Sequence, residues 1–442
     1  MAMKTGAWGL ALLLAAAPPL AGQDSPLKWP VPSKAAAEPS FPAILIGAGE
    51  LAQALKAGGW IALDAREAGR YAAGHLPGAA PGWSAEEAAG GVRPLLAARG
   101  ISGEETVVLY DADGKDREAV ASLFRLLRQA GCAGVRILDG GLAAWQAAGG
   151  AVETGPSRHP PTAAVRRPPR DDVELTAGEV DGSYGQAGFE LLDVRDARGW
   201  ERWETSPTFA AGHIPYALPF DPRALLPESG WPDPAGVRRR LATFGPRPGD
   251  PVHLDSTFVL YAEDALDPRL GLGYLLLSLA GFEARVYPGG WREWTAGGTR
   301  PAVRILSAAE LAVRLKRENP GLDQDRTPRG LALVDLREAR DFAAIGHLPG
   351  AQSLPYRFFA DGFEKAIEKG WPGADRTTLP LVFYCYGTDC VRSRKAGAQA
   401  ARLGFRDVIW FRGGIQEWRD AAYPLLRSSL PNAARVPAPP GG

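Results

Sequence analysis

One pattern occurs three times along the 442-residue chain. A short apolar run ends in Asp-x-Arg, at Leu63–Arg66, Leu192–Arg195 and Val334–Arg337. Gly-His-(Leu/Ile)-Pro follows, at Gly74–Pro77, Gly212–Pro215 and Gly346–Pro349. A second apolar run comes next, at Thr106–Tyr110, Thr257–Tyr261 and Leu381–Tyr384. Each unit closes on Gly-Gly-x-x-x-Trp, ending at Trp145, Trp294 and Trp418. The interval between units is far longer than the roughly 20–50 residues of a solenoid repeat, so the chain is expected to form tandem globular domains. Its length agrees, since a domain takes about 150 residues.

Within each unit, near-continuous apolar runs alternate with helical patterns. Buried parallel strands with helices on both faces are written this way. Residues 41–152, 173–300 and 304–427 are the expected domains. A Pro/Arg-rich linker, 153–172, is expected to separate the first two. The short connection Gly297–Val303 is expected to bring the second and third close together. Residues 428–442 form a Pro-rich tail with the composition of a disordered segment.

Lys4, the apolar run Ala7–Ala17, the break at Pro18-Pro19 and the small residues Ala21-Gly22 follow the order of a secretory signal peptide. Residues 1–22 are therefore expected to be a cleaved export signal, with an uncleaved anchor as the alternative. No later stretch is long and apolar enough to span a bilayer. The Ala/Gly/Arg/Pro-rich composition points to a bacterium, hence to a periplasmic or secreted protein. Lys plus Arg and Asp plus Glu are both 50, which argues against a partner recognised through bulk charge, nucleic acid included. Three cysteines exclude a disulfide scaffold, and five scattered histidines offer no zinc-ligand spacing. Neither metal nor cofactor is expected.

The order Asp-x-Arg, Gly-His-(Ile/Leu)-Pro, a strand ending in Cys, and Gly-Gly-x-x-x-Trp resembles the rhodanese (sulfurtransferase) family. The resemblance covers nearly all of the chain after its leader, three times over. It implies an α/β fold of three tandem rhodanese-like domains, each a parallel β-sheet flanked by helices on both faces. It also implies a catalytic cysteine at the end of the fourth strand, cradled by a loop that leads into a helix.

The three units differ at that position. Unit one has Asp111, unit two Ala262, and unit three Cys385. Features common to all units are expected to be scaffold, and the feature confined to one is the candidate for chemistry. A thiol at a strand's C-terminal end, facing loop amides and a helix N-terminus, ionises readily. Cys385 is thus the candidate nucleophile and persulfide carrier. Tyr386, Gly387, Thr388, Asp389, Val391, Arg392 and Ser393 are the expected substrate cradle, with Arg392 orienting an anionic donor. The substrates implied are a small sulfur-containing anion such as thiosulfate and an acceptor thiol or cyanide. Domains one and two would be inactive supports, covering the site or docking a periplasmic protein.

The loop departs from the family's Cys-x4-Arg. It runs Cys385-x6-Arg392 and contains Cys390. A wider cradle could admit a larger donor. It could also suit phosphate chemistry with Asp389 as general acid. Cys390 is a candidate resolving thiol or disulfide mate for Cys385, since four intervening residues can fold back and export favours oxidation. Two alternatives to sulfur transfer follow: a non-catalytic binding or assembly protein with a stable Cys385–Cys390 disulfide, and thiol–disulfide exchange by that pair.

The recurring residues carry plainer expectations. His75, His213 and His347 should fix loops, and Asp335 and Arg337 should tie a strand end to its neighbour. Trp145, Trp294 and Trp418 should pack in cores. Asp111 should be a solvated or capping carboxylate, and Cys132 a buried, idle thiol. The sequence leaves Arg394 and Lys395 undecided between a solvated helix face and a weak anion guide.

Overall fold

The computed structural model describes residues 44–83, 85–88, 90–156, 159–184, 188–195, 212–242, 256–297, 300–387 and 390–427. The expected export signal and the C-terminal tail lie outside them.

Each unit folds into its own parallel sheet. In unit one the strands are β1 (Leu45–Ile46), β2 (Trp60–Asp64), β3 (Ala80–Pro81), β4 (Thr106–Tyr110) and β5 (Gly134–Leu138), in the order β1-β5-β4-β2-β3. Unit two has β6 (Phe189–Asp193), β7 (Leu218–Pro219), β8 (Thr257–Tyr261) and β9 (Ala284–Tyr287), in the order β7-β6-β8-β9. Residues 173–175 bond backbone to backbone with Val286 in place of a fifth strand. Unit three has β10 (Ala302–Ile305), β11 (Ala332–Asp335), β12 (Gln352–Ser353), β13 (Leu381–Tyr384) and β14 (Asp407–Phe411), in the order β10-β14-β13-β11-β12. All these pairings are parallel. The strand of unit three begins two residues before 304, because Ala302 and Val303 pair with Asp407 and Val408.

The shared motifs build the same lock in every unit. Asp64, Asp193 and Asp335 end a central strand and take a forked ion pair from Arg66, Arg195 and Arg337. The same guanidinium donates to the carbonyl of the motif glycine: Gly74 and Gly212 at 2.6 Å, Gly346 at 2.7 Å. The hydroxyl of Tyr110, Tyr261 or Tyr384 accepts the amide just after the histidine. The backbone of His75, His213 and His347 pairs with Glu153, Val303 and Leu426, the segments leaving each unit. Trp145, Trp294 and Trp418 donate their indole N–H to carbonyls of the same segments, Ala151, Pro301 and Pro424. The chain is therefore tied down where it leaves each domain. The expectations for these histidines, tryptophans and Asp-x-Arg pairs hold in this respect.

Domain packing runs against the linker argument. Residues 153–172 fold back over unit one, where Thr162, Arg166 and Arg170 donate their amides to Ala97, Ser102 and Gln129. Units one and two consequently lie face to face, and the apolar side chains between them form one shared core, while each unit keeps a second cluster of its own. The contact is made by the helices Arg117–Gln129 and Pro268–Leu279. The second is apolar on nearly every side and needs a partner helix to cover it. At the crossing a Cβ on Gly271 would lie 2.6 Å from the Ser122 Cα, so only glycine allows this approach. Unit three keeps two apolar clusters of its own. It meets unit two through the His213–Val303 backbone pair and through Arg402, which donates to the Tyr184 carbonyl and lies over the Tyr184 and Tyr216 rings. A connection of this length, with several amides bonded back onto unit one, leaves the two domains free to pack together.

Asp335 and Arg337 are both 0% exposed. Asp335→Asn leaves a buried guanidinium without its counter-charge, and the expected loss of stability is about 3–5 kcal/mol, read from urea denaturation of the full chain. A loss under about 1 kcal/mol would show that the ion pair does not anchor unit three.

Candidate active site

The candidate site is the loop after β13, a central strand flanked by β14 and β11. Ligands of open α/β sheets bind at such strand ends. The first turn of the helix Gly414–Asp420 grips the loop from one side. Ile415 donates its amide to the Cys385 carbonyl at 3.0 Å, and Gln416 to that of Tyr386 at 3.1 Å. Leu142 and Ala143 do the same to Asp111 and Ala112, and Trp291 and Arg292 to Ala262 and Glu263. This explains the second glycine of Gly-Gly-x-x-x-Trp. Gly414 has φ +57°, and a Cβ there would lie 2.4 Å from the Cys385 carbonyl oxygen. Because N–H and C=O of a trans peptide point in opposite directions, fixing these two carbonyls turns the amides of Tyr386 and Gly387 to the other side.

Unit one shows what such a loop holds. Asp111 is 3% exposed, and its carboxylate accepts the amides of Gly114 and Asp116, each at 2.8 Å. The capping half of the expectation for Asp111 is correct. The solvated half is not, since the loop closes over the charge. The unit-one loop is thus an anion nest occupied by its own side chain. Unit two puts Ala262 at this position, which has nothing to ionise.

A second alignment escaped sequence reasoning. Five residues beyond Asp111, Ala262 and Cys385 stand Asp116, Asp267 and Cys390, and each is the N-cap of the following helix. Asp116 and Asp267 cap with their carboxylates, accepting the amides of Ala119 and Arg269. Cys390 makes no side-chain cap and is joined to Cys385 as a disulfide, with 6.2 Å between the Cα atoms. The equal spacing was the signal that could have found this.

Cys385 is 1% exposed and Cys390 8%. Of the two expectations for this pair, a reactive thiolate and a disulfide, the structure has the second, in a closed loop. The closure comes from a turn in which Cys390 donates its amide to the Gly387 carbonyl at 3.0 Å. Tyr386 leans outward, and its hydroxyl donates to Asp341. Burial and that hydrogen bond hold its phenol above the ordinary tyrosine range. The guanidinium of Arg392 lies 5.9 Å from the Tyr386 ring centre and is half-buried. Gly387 sits against Gln416. Val391 is the first residue of the helix Val391–Arg402. Ser393 is not part of the cradle surface: its buried hydroxyl donates to the Cys390 carbonyl and accepts the Trp410 indole N–H at 2.9 Å. Thr388 and Asp389 lie outside the described residues. Lys395 is exposed.

Arg337 has a place here that its scaffold role hides. In unit two the Nη1 of Arg195 lies 3.6 Å from Glu263. The corresponding residue of unit three is Tyr386, and the Arg337 Nη1 is buried without a hydrogen-bond partner among the described residues. Its guanidinium carbon lies 5.9 Å from the ring centres of both Tyr384 and Tyr386. The cysteine loop is therefore flanked by a desolvated cation that, among the described residues, no carboxylate shares from the loop side. Cys132, in contrast, is far from this loop. It is a free, buried thiol that desolvation pushes up to about 12.

A repeated parallel-sheet domain, with one cysteine loop among three, defines a class of α/β cysteine proteins. Comparison with known proteins narrows the class. The "Rhodanese-like domain" family matches residues 47–148, 176–297 and 310–421. The chain belongs to the rhodanese-like family, with three tandem domains. A protein of Mycobacterium tuberculosis named "Putative thiosulfate sulfurtransferase SseB" is 32% identical over 59% of this chain and 97% of its own length. The "Probable 3-mercaptopyruvate sulfurtransferase" of Pseudomonas aeruginosa is 35% identical over 47% of this chain and 70% of its own. Among solved structures, an anaerobic ergothioneine biosynthesis enzyme from Chlorobium limicola overlays 59% of this chain and 70% of its own, with TM-score 0.49 and 20% identity. The chemistry of the chain is rhodanese-type sulfur transfer.

Two outcomes follow from the loop's geometry. Gly414→Ala forces a side chain against the Cys385 carbonyl at positive φ, and the expected cost is about 1–3 kcal/mol in chemical denaturation; an unchanged midpoint would contradict the close approach. For the thiols, native protein without reductant should expose none to an alkylating reagent, one after denaturation, and all three after reduction in denaturant. Because the folded Cys132 pKa is raised, its neutral form contributes stability fully below about pH 8.5. That contribution should fade as pH rises from there toward about 12, and less in Cys132→Ala.

Proposed function

We propose that unit three is the working site, that Cys385 carries sulfur as a persulfide, and that the chain acts outside the cytoplasm of a bacterium. The observation that carries this reading is the match between units at the first loop position. Where unit one holds a carboxylate by two amides, unit three alone has at this position a side chain that is an anion and a sulfur nucleophile when ionised.

The reaction starts from the reduced loop. The Cys385 thiolate, held by loop amides and by the N-terminus of the helix Val391–Arg402, attacks the outer sulfur of a sulfane anion. For thiosulfate the S–S bond breaks, sulfite leaves with the electron pair, and Cys385-S-SH remains. Arg337 lowers the cost of bringing a dianion to a half-closed loop, and Arg392 beside Tyr386 is placed to orient it. A thiol or cyanide then takes the outer sulfur. Units one and two serve as supports that carry no carrier thiol in their loops. The leader-like residues 1–22 support export, and among the described residues no helix is long and apolar enough to cross a membrane. The bond between Cys385 and Cys390 favours a second activity of the same pair, thiol–disulfide exchange.

The test is a mass measurement. Reduced Cys390→Ala protein given thiosulfate should gain about 32 Da on Cys385, and should turn cyanide into thiocyanate. Cys385→Ser should do neither. No gain with thiosulfate, mercaptopyruvate or a persulfide donor, or full activity in the serine variant, would refute the assignment.

A further inference from the structure

The inference rests on Cys385 as the persulfide carrier and concerns where the sulfur goes. We propose that Cys390 resolves the persulfide: its thiolate attacks the Cys385 Sγ, the bond to the outer sulfur breaks, and hydrosulfide leaves with the electron pair, so that the Cys385–Cys390 disulfide is a product state of the catalytic cycle.

Position comes first. The two sulfurs are joined in the structure, and the 6.2 Å Cα separation is within the range of ordinary disulfides. The approach belongs to the loop and does not depend on the bond. In unit one, which has no cysteine in its loop, the fifth residue again folds back, bringing the Asp116 amide 2.8 Å from the Asp111 carboxylate.

The chemistry of the fifth position comes next. Two of the three units place a carboxylate there, as the N-cap of a helix of at least twelve residues. The third places Cys390 at the N-cap of the twelve-residue helix Val391–Arg402. The site therefore already suits an anion in its sister units. A thiol in it gains thiolate character from the helix's positive end, which makes it an attacking group at neutral pH and a good leaving group later. Asp111 and Asp116 are two fixed anions on one loop; Cys385 and Cys390 are their redox-active counterparts.

Access comes last. With Cys385 1% exposed, a bulky acceptor has little room at its sulfur, whereas hydrosulfide is small enough to leave. Cys390 is the more exposed partner at 8%. A dithiol reductant therefore attacks the Cys390 Sγ and expels the Cys385 thiolate. The second thiol of the reductant then closes its own disulfide and frees Cys390. Over one cycle thiosulfate and a dithiol give sulfite, hydrogen sulfide and the oxidised dithiol; the sulfane sulfur gains two electrons and the dithiol loses them. Neither cyanide nor a monothiol acceptor enters.

The test uses the full chain, reduced without oxygen, freed of reductant and mixed with one equivalent of thiosulfate and no acceptor. The expected result is about one hydrosulfide per chain, two thiols lost, and a mass about 2 Da below that of the reduced chain. Cys390→Ser and Cys390→Ala should instead retain the persulfide, about 32 Da above the reduced chain, and release less than about a tenth of the parent's hydrosulfide. A persulfide that persists in the parent, or hydrosulfide released by both Cys390 variants at the parent's rate, overturns the resolving role and leaves Cys385 as carrier. Absence of both sulfite and a mass gain in the parent overturns the carrier, and the inference with it.

Discussion

Each unit depends on a clamp made of two backbone hydrogen bonds. The first turn of the Gly-Gly helix donates two amides to the two carbonyls that follow the central strand β4, β8 or β13. A net gain of about 1 kcal/mol per bond makes the clamp modest in energy. Its geometric effect is larger. It fixes the direction of two peptide planes, and with them the side on which the loop shows donors. The clamp works only with glycine at Gly141, Gly290 and Gly414, where positive φ and a carbonyl within 2.7 Å of any Cβ exclude other residues. The Asp-x-Arg and Gly-His-x-Pro lock supports the same strand ends from the opposite side of the sheet order, through β2, β6 and β11.

On this common frame the three loops diverge in chemistry at their first residue. Asp111 fills its nest permanently with a carboxylate, Ala262 leaves nothing to stabilise, and Cys385 supplies an anion that can gain and lose sulfur. A fixed charge and a reactive charge thus occupy equivalent positions in one chain. The desolvated Arg337 adds a difference of environment. In unit two the matching arginine faces Glu263, while in unit three an aromatic ring stands in that place. Replacing a carboxylate by Tyr386 beside the nucleophile removes a repulsion that an anionic donor would otherwise meet.

Much of this was legible in the sequence, because repetition within the chain separates scaffold from chemistry. The threefold motif order gave three domains and their parallel sheets. The single cysteine among Asp111, Ala262 and Cys385 pointed to unit three. Residues whose meaning depends on a partner distant in sequence were less accessible. Ser393 looks like a loop hydroxyl until Trp410 is found above it. The glycines of Gly-Gly-x-x-x-Trp look like a turn until the facing carbonyls are seen. The shared core of units one and two was not legible, because its cause lies in the apolar surface of the helix Pro268–Leu279, which finds its partner in the helix Arg117–Gln129. The fifth-residue N-cap was readable from spacing alone, yet Asp116, Asp267 and Cys390 differ in residue type and so do not announce themselves as equivalent.

The division of the apolar interior has a consequence of its own. Units one and two share a continuous core, so a disturbance in either is felt by both as one cooperative block. Unit three, with its own two clusters, joins that block through a backbone pair and one arginine. The loop that bears Cys385 is therefore bounded by an interior that unit three builds by itself, apart from the core that joins units one and two.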